Sequence, residues 1–149
     1  MNKPLRFNVK FKKESTHEVL IVVFDTLAHM KAVMKKSGDR YPGRHTVGLF
    51  WQTKNPVAAG IIGTIFLARE DLTLNTIIHE CAHAAYFRTM LMGFQQTGVD
   101  FQESVAISVG DLSEALIGFL SINKVPIRYE IQGVGTTKIR SAFKPRVKV

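Results

Sequence analysis

The first third of the chain alternates between strand and helix patterns. Apolar and polar residues alternate over residues 5–12, which predicts a half-buried strand. Residues 19–24 are continuously apolar and predict a more deeply buried strand. Asp25 or Thr26 then supplies a suitable N-cap for a helix to about Lys36, because apolar residues recur there at helical spacing. Residues 38–44 contain Pro42 and Gly43 and are predicted to form a loop.

The rest of the chain predicts two more strands, two long helices and a weakly patterned end. The strands are expected at residues 46–51 and 61–68. Asp71 or Thr73 is a suitable N-cap for a helix to about Met92, and a second helical pattern covers residues 101–120. Residues 127–131 indicate a short strand, and residues 133–137 indicate a turn. This order predicts an α+β fold in which a small sheet packs against helices.

Composition is that of a soluble globular domain. The chain has 149 residues, of which 46% are hydrophobic and 21% charged, and no apolar run approaches the length of a membrane span. We therefore expect no membrane partner. The N-terminus lacks the apolar core of a signal peptide, and the single cysteine, Cys81, fits a reducing compartment. A cytoplasmic location is the expectation.

Positive charge is concentrated near the C-terminus. The formal net charge is +8, and no acidic residue interrupts the last five basic ones: Lys138, Arg140, Lys144, Arg146 and Lys148. Such a tail is usually a solvated, partly disordered terminus, but it can also bind nucleic acid. We therefore predict a folded domain over residues 1–125. A basic extension over 126–149 either belongs to that domain or is partly disordered.

The candidate chemistry lies in the segment His79-Glu80-Cys81-Ala82-His83. Histidines four residues apart lie on one face of an α-helix, so both imidazoles can reach one metal ion. Glu80 lies at the edge of that face, where it can take a proton from a metal-bound water. Cys81 is about 160–200° away around the helix, which predicts a core residue rather than a metal ligand.

A catalytic zinc site needs a third protein ligand in addition to His79 and His83. No histidine follows His83, so the downstream candidates are carboxylates: Asp100, Glu103, Asp111 and Glu114. We favour Glu103, because its helix face continues with the apolar or small residues Ala106, Ile107 and Gly110, which suit close helix packing. Asp100 is expected to cap that helix.

These residues resemble a known family. Residues 62–68 resemble the edge strand before the active-site helix of zincin metallopeptidases, and His79, His83 and Glu103 resemble the gluzincin ligand set. The compact layout is similar to small phage and bacterial zincin-like proteins, including the ImmA/IrrE type. The resemblance covers about residues 19–120. Ile107 stands where thermolysin-like gluzincins carry an acid, so another group has to orient the metal-bound histidine.

The resemblance implies both a fold and a reaction. The fold would be a minimal zincin-like fold, in which a small mixed sheet has an edge strand packed on the active-site helix and a second long helix. Residues 1–125 would be the metallopeptidase domain. His79, His83 and Glu103 would bind Zn²⁺, and Glu80 would accept the proton of the metal-bound water that attacks the peptide carbonyl. Candidates to stabilise the oxyanion are Tyr86, His45 and Tyr129.

Two classes of function remain open at this point. The first is a zinc metallopeptidase that acts on a protein or peptide substrate. The second is a non-proteolytic binding protein that uses a zincin scaffold and a basic surface to hold nucleic acid or a protein partner. The intact motif favours the peptidase. The sequence leaves the substrate and the oligomeric state undetermined.

Overall fold

The fold combines a four-stranded sheet, a small hairpin and three helices within the residues described. The computed structural model describes residues 2–11, 16–37, 47–54, 60–93, 98–131 and 135–139. The elements in chain order are β1 (Leu5–Lys10), β2 (Glu18–Phe24), α1 (Leu27–Lys36), β3 (Gly48–Gln52), β4 (Ile61–Ala68), α2 (Leu74–Leu91), α3 (Val99–Ile122), β5 (Ile127–Ile131) and β6 (Gly135–Ile139). The predicted α+β class and the order of its first seven elements are confirmed. The loop predicted at 38–44 lies outside the described residues.

The main sheet is mixed and has the strand order β1-β2-β4-β3. β2 and β4 are parallel, whereas β1 and β3 are each antiparallel to their single neighbour. The expectation that residues 62–68 form an edge strand is therefore wrong, because β4 is paired on both sides. β3 is the edge strand on the side that faces the motif helix. The predicted packing of an edge strand on that helix is thus met by a different strand.

Helices cover both faces of this sheet. Alternate residues of β2 point to opposite sides, as a pleated strand requires. Val19, Ile21 and Val23 join a large core with residues of α2 and α3, such as Ile77 and Leu112. Val22 and Phe24 join a smaller core with Met30 and Met34 of α1. The sheet is therefore the central layer, and α2 and α3 share one of its faces.

Threonine side chains begin the first two helices. The Oγ1 atom of Thr26 accepts a hydrogen bond from the His29 N–H at 3.1 Å, and Thr73 Oγ1 accepts one from the Thr76 N–H at 3.1 Å. Both residues were among the predicted caps. α3 starts differently, because Gly98 is its N-cap and makes no side-chain cap bond. Asp100 lies in the first turn of α3, so its prediction as the cap is wrong.

α2 and α3 pack antiparallel through a stripe that includes small polar residues. Arg88 Nη1 donates to Ser108 Oγ at 2.8 Å, and the hydroxyls of Thr89 and Ser104 lie 3.3 Å apart. Phe101, Leu112 and Leu116 are buried on the same side of α3, as their spacing predicted. The face that we expected to pack against α2 instead faces solvent. Its residues Glu103, Ala106 and Gly110 are exposed, and Ile107 is 54% exposed.

One of the described helices, α3, is long and apolar enough to cross a bilayer by length and composition alone. Its most apolar 18-residue window has a mean hydropathy of 1.6. Core helices of soluble proteins meet the same criterion but are mostly buried, whereas 22% of this window is buried. In this structure Leu112, Leu116 and Leu120 of α3 lie in the main core.

The β5–β6 hairpin is attached to the start of α2. The Arg128 N–H donates to the Leu72 carbonyl at 2.9 Å, and the Arg128 guanidinium is paired with Asp71. The strand predicted at 127–131 is confirmed. The turn predicted over 133–137 is wrong for residues 135–137, which belong to β6. The domain boundary near residue 125 stays a prediction, and residues 140–149 of the basic tail lie outside the described part of the chain.

Candidate functional site

The two motif histidines meet at the surface of α2. His79 Nε2 and His83 Nε2 lie 3.0 Å apart, and the rings meet edge to face with centroids 4.6 Å apart. Both side chains are exposed. Two nitrogen ligands of a tetrahedral zinc lie about 3.3 Å apart, because each Zn–N bond is about 2.0–2.1 Å. The separation of the pair therefore fits two ligands of one metal ion.

Glu80 is buried beside this pair and is held by the edge strand. The Phe50 N–H donates to Glu80 Oε2 at 2.6 Å, and Glu80 is only 6% exposed. The direction of this N–H follows from the register of β3. Val47 and Thr53 are hydrogen-bonded to β4 through their backbones. The even-numbered residues between them therefore point their N–H and C=O groups off the free edge, where α2 supplies the carboxylate.

The surroundings of Glu80 act on its pKa in opposite directions. Burial is the largest effect and raises the pKa of the carboxyl above its ordinary value. The Phe50 N–H and the nearby charges of His79 and His83 favour the carboxylate and lower the pKa, but they do not offset burial. A raised pKa makes the carboxylate a stronger base, which suits a general base.

A glycine permits this close approach of β3 to α2. A Cβ atom at Gly48 would lie 2.5 Å from Thr76 Cγ2 and 3.1 Å from Glu80 Cγ. Only a residue without a side chain brings the strand near enough for Phe50 to reach Glu80. Neither Gly48 nor the Phe50 N–H was among the residues predicted for the site. A glycine inside a strand pattern was the available signal, whereas a backbone donor leaves no trace in residue type.

The histidines and Glu80 line an open cleft of about 690 Å³ between β3 and α2. Residues 48–52 form the wall on the β3 side. The α2 side contributes His79, Glu80, His83, Tyr86, Phe87 and Met90. The cleft therefore combines the motif residues with a strand edge and an apolar stretch of helix.

The third predicted ligand is not part of this cluster. Within the described ranges, no group of three or more His, Cys, Asp or Glu side chains is placed to hold a metal ion. Glu103 is exposed on α3 and does not line the cleft. The structure thus brings together His79, His83 and Glu80, while the assignment of Glu103 as a ligand stays a prediction.

The other residues considered for the site are a cysteine, two tyrosines and a histidine, and they lie in different parts of the chain. Cys81 is fully buried, and burial raises the pKa of its thiol to about 12, in keeping with the predicted core role. Tyr86 lines the cleft with its ring edge to face against Phe101, at 5.1 Å between centroids. Tyr129 is half-buried on β5, outside the cleft lining. His45 lies outside the described residues.

No protein-family model, curated protein or solved structure matches the chain.

Proposed function

We propose that this protein is a zinc-dependent metallopeptidase with Glu80 as its general base. One observation carries the proposal. Two imidazole nitrogens converge to 3.0 Å in an open cleft, next to a buried carboxylate that a backbone N–H holds in place. The buried carboxyl of Glu80 is poorly solvated where it lies. A dication bound by the two imidazoles would lie next to this carboxylate and favour its charged form.

Each residue has a defined task in this proposal. His79 and His83 would hold the ion through their Nε2 atoms, and Glu103 is the proposed third ligand. When bound, zinc supplies a Lewis acid that lowers the pKa of a coordinated water to about 7 and polarises the substrate carbonyl. Glu80 Oε2 is fixed by the Phe50 N–H, so Oε1 is the oxygen that takes the proton and delivers it to the leaving amine.

A polypeptide is the substrate that the cleft fits best. No described strand pairs with the outer edge of β3. Gly48, Phe50 and Gln52 direct their backbone groups to this edge along one wall of the cleft, and all of these groups except the Phe50 N–H, which donates to Glu80, can pair with a substrate. An extended chain can pair with such groups whatever its sequence, which places a peptide bond beside the motif residues. A protein or peptide substrate is therefore part of the proposal. So is a cytoplasmic location, for which the support is the free thiol of Cys81.

The test is proteolysis by a matched pair of variants. Unfolded casein would be incubated with wild type, Glu80→Gln and Glu18→Gln, with zinc and with a chelator. We expect zinc-dependent cleavage by wild type and Glu18→Gln, and a rate at least about 100-fold lower for Glu80→Gln with its zinc retained. Equal cleavage by wild type and Glu80→Gln would contradict the proposal.

A second candidate function has one observation in its favour. The described residues contain no group of three or more His, Cys, Asp or Glu side chains that could hold a metal ion, and a non-proteolytic protein that binds nucleic acid or a protein partner would not need one. The basic residues that would hold nucleic acid include Arg140, Lys144, Arg146 and Lys148. Salt-sensitive DNA binding that disappears on deletion of residues 140–149, without any casein cleavage, is the result that this alternative predicts.

A further inference from the structure

The half of the cleft beyond the histidines is apolar. Tyr86, Phe87 and Met90 follow His83 on the same side of α2 and line the cleft. Phe50 contributes from β3, with its ring centroid 6.1 Å from that of Phe87. We call these four residues the apolar half-cleft. The acidic and basic side chains of the described cleft lining are His79, Glu80 and His83, and none of them belongs to the apolar half-cleft.

We propose that the apolar half-cleft is a specificity subsite that takes one large apolar side chain of the polypeptide substrate. The inference rests on the proposed function, because it places that side chain near the bond to be cleaved. Met90 follows His83 by seven residues, or about 10 Å along the helix. That length equals about three residues of an extended chain. The recognised side chain therefore lies one to three residues from the cleaved bond.

Exposure of these residues supports the choice of occupant. Tyr86 is 43% exposed and Met90 is 40% exposed, although both are large and line the same concave surface. An apolar side chain that covers them removes apolar surface from water on both partners. A charged side chain would lose its hydration without gaining a partner. Large aliphatic or aromatic residues are therefore favoured over serine, aspartate or lysine.

The geometry also supports a formed subsite. The Tyr86 ring is held edge to face against Phe101 of α3, and Phe87 is held between the core and Phe50. Rigid aromatic walls lose little conformational freedom when a ligand binds. Met90 is the flexible member, and its unbranched thioether can adapt to side chains of different shape.

The experiment measures binding rather than cleavage. Glu80→Gln protein with zinc, labelled with ¹⁵N, would be titrated with blocked pentapeptides of alanine that carry a central phenylalanine, serine or aspartate. We expect amide shifts over residues 86–90. The phenylalanine peptide should half-saturate the protein at a concentration at least about tenfold lower than the other two. Equal half-saturation, shifts elsewhere, or no binding of any peptide would overturn the subsite.

Two exposed methionines provide the matched control. Met90 lines the cleft, whereas Met92 is 46% exposed just beyond α2 and is not part of the lining. Met90→Glu should reduce the preference for phenylalanine to less than threefold, and Met92→Glu should leave it unchanged. Met90→Gln is a second variant at this position, which removes the apolar side chain without adding a charge. Equal effects at both positions would overturn the proposal. Absence of cleavage by wild type would contradict the peptidase function alone, because binding does not require cleavage.

Discussion

At the level of single residues, the proposed chemistry depends on the carboxyl group of Glu80. Its pKa is raised in the folded chain, so the fold favours the protonated form. That contribution to the free energy of unfolding is fully present below the ordinary pKa of 4.5 and is lost as the pH rises through the raised value. Glutamine at this position has no carboxyl group, so it makes no pH-dependent contribution to the free energy of unfolding.

We therefore predict a pH-dependent stability difference in the metal-free protein. With a chelator present, wild type should lose stability relative to Glu80→Gln as the pH rises from about 4.5 towards neutral. Urea unfolding at several pH values measures this difference directly. Curves that stay parallel for the two proteins over that range would show that burial of Glu80 has no effect on its titration.

The second residue-scale prediction concerns the third metal ligand. If Glu103 completes the ligand set, Glu103→Ala should lower zinc affinity by at least tenfold, whereas Asp100→Ala should leave it unchanged. Both residues lie at the exposed start of α3, so the pair controls for general effects on that helix. Competition with a chromophoric chelator gives the affinities. If Glu103→Ala still binds zinc tightly and Asp100→Ala does not, Asp100 rather than Glu103 is the third ligand.

At the scale of elements, the contact between β3 and α2 depends on Gly48. We predict that Gly48→Ala destabilises the fold by about 1–3 kcal/mol, since its Cβ would overlap Thr76 and displace β3 from Glu80. Gly110→Ala is the control, because a Cβ there meets nothing within 4 Å and alanine favours the interior of α3. That change should stabilise the fold by about 0.5–1 kcal/mol. Urea unfolding that gives the same sign for both would contradict this account of β3.

The helices and strands differ in how well the sequence pattern predicted them. β4 and β5 have the bounds that their patterns predicted, because apolar runs and neighbouring turn residues are local signals. Strand order is non-local, so the pattern of residues 62–68 did not reveal that β4 is central and β3 is the edge. Apolar residues lie on more than one side of α3, because Leu112 and Leu116 are buried whereas Ile107 is exposed. Its period therefore left the position of Glu103 relative to α2 ambiguous.

The sequence likewise predicted one part of the candidate site and not the other. The helical spacing of His79 and His83 and the burial of Cys81 follow from 100° per residue, and the structure agrees with both. The Phe50 N–H, the role of Gly48 and the cleft wall depend on the pairing register of β3 with β4. That register arises from contacts between distant segments and has no counterpart in the spacing of the motif.

At the scale of the whole molecule, the cleft exists because the sheet and α2 are held together by one core. Residues of β1, β2 and β4 pack with α2 and α3, and the free edge of β3 lies beside the motif residues as a result. Zinc that binds only the folded chain would stabilise the whole domain, by about 2.7 kcal/mol at a free concentration 100 times its dissociation constant.

The zinc content of the purified protein shows whether His79 and His83 form a metal site. Wild type, His79→Ala, His83→Ala and His29→Ala would be dialysed against dilute zinc and measured by mass spectrometry of the metal. His29 on α1 packs against Phe24 and is the control histidine. We expect one zinc per chain in wild type and His29→Ala, and less than a tenth of that amount in His79→Ala and His83→Ala. Wild type without zinc, or equal zinc in all four proteins, would contradict this expectation.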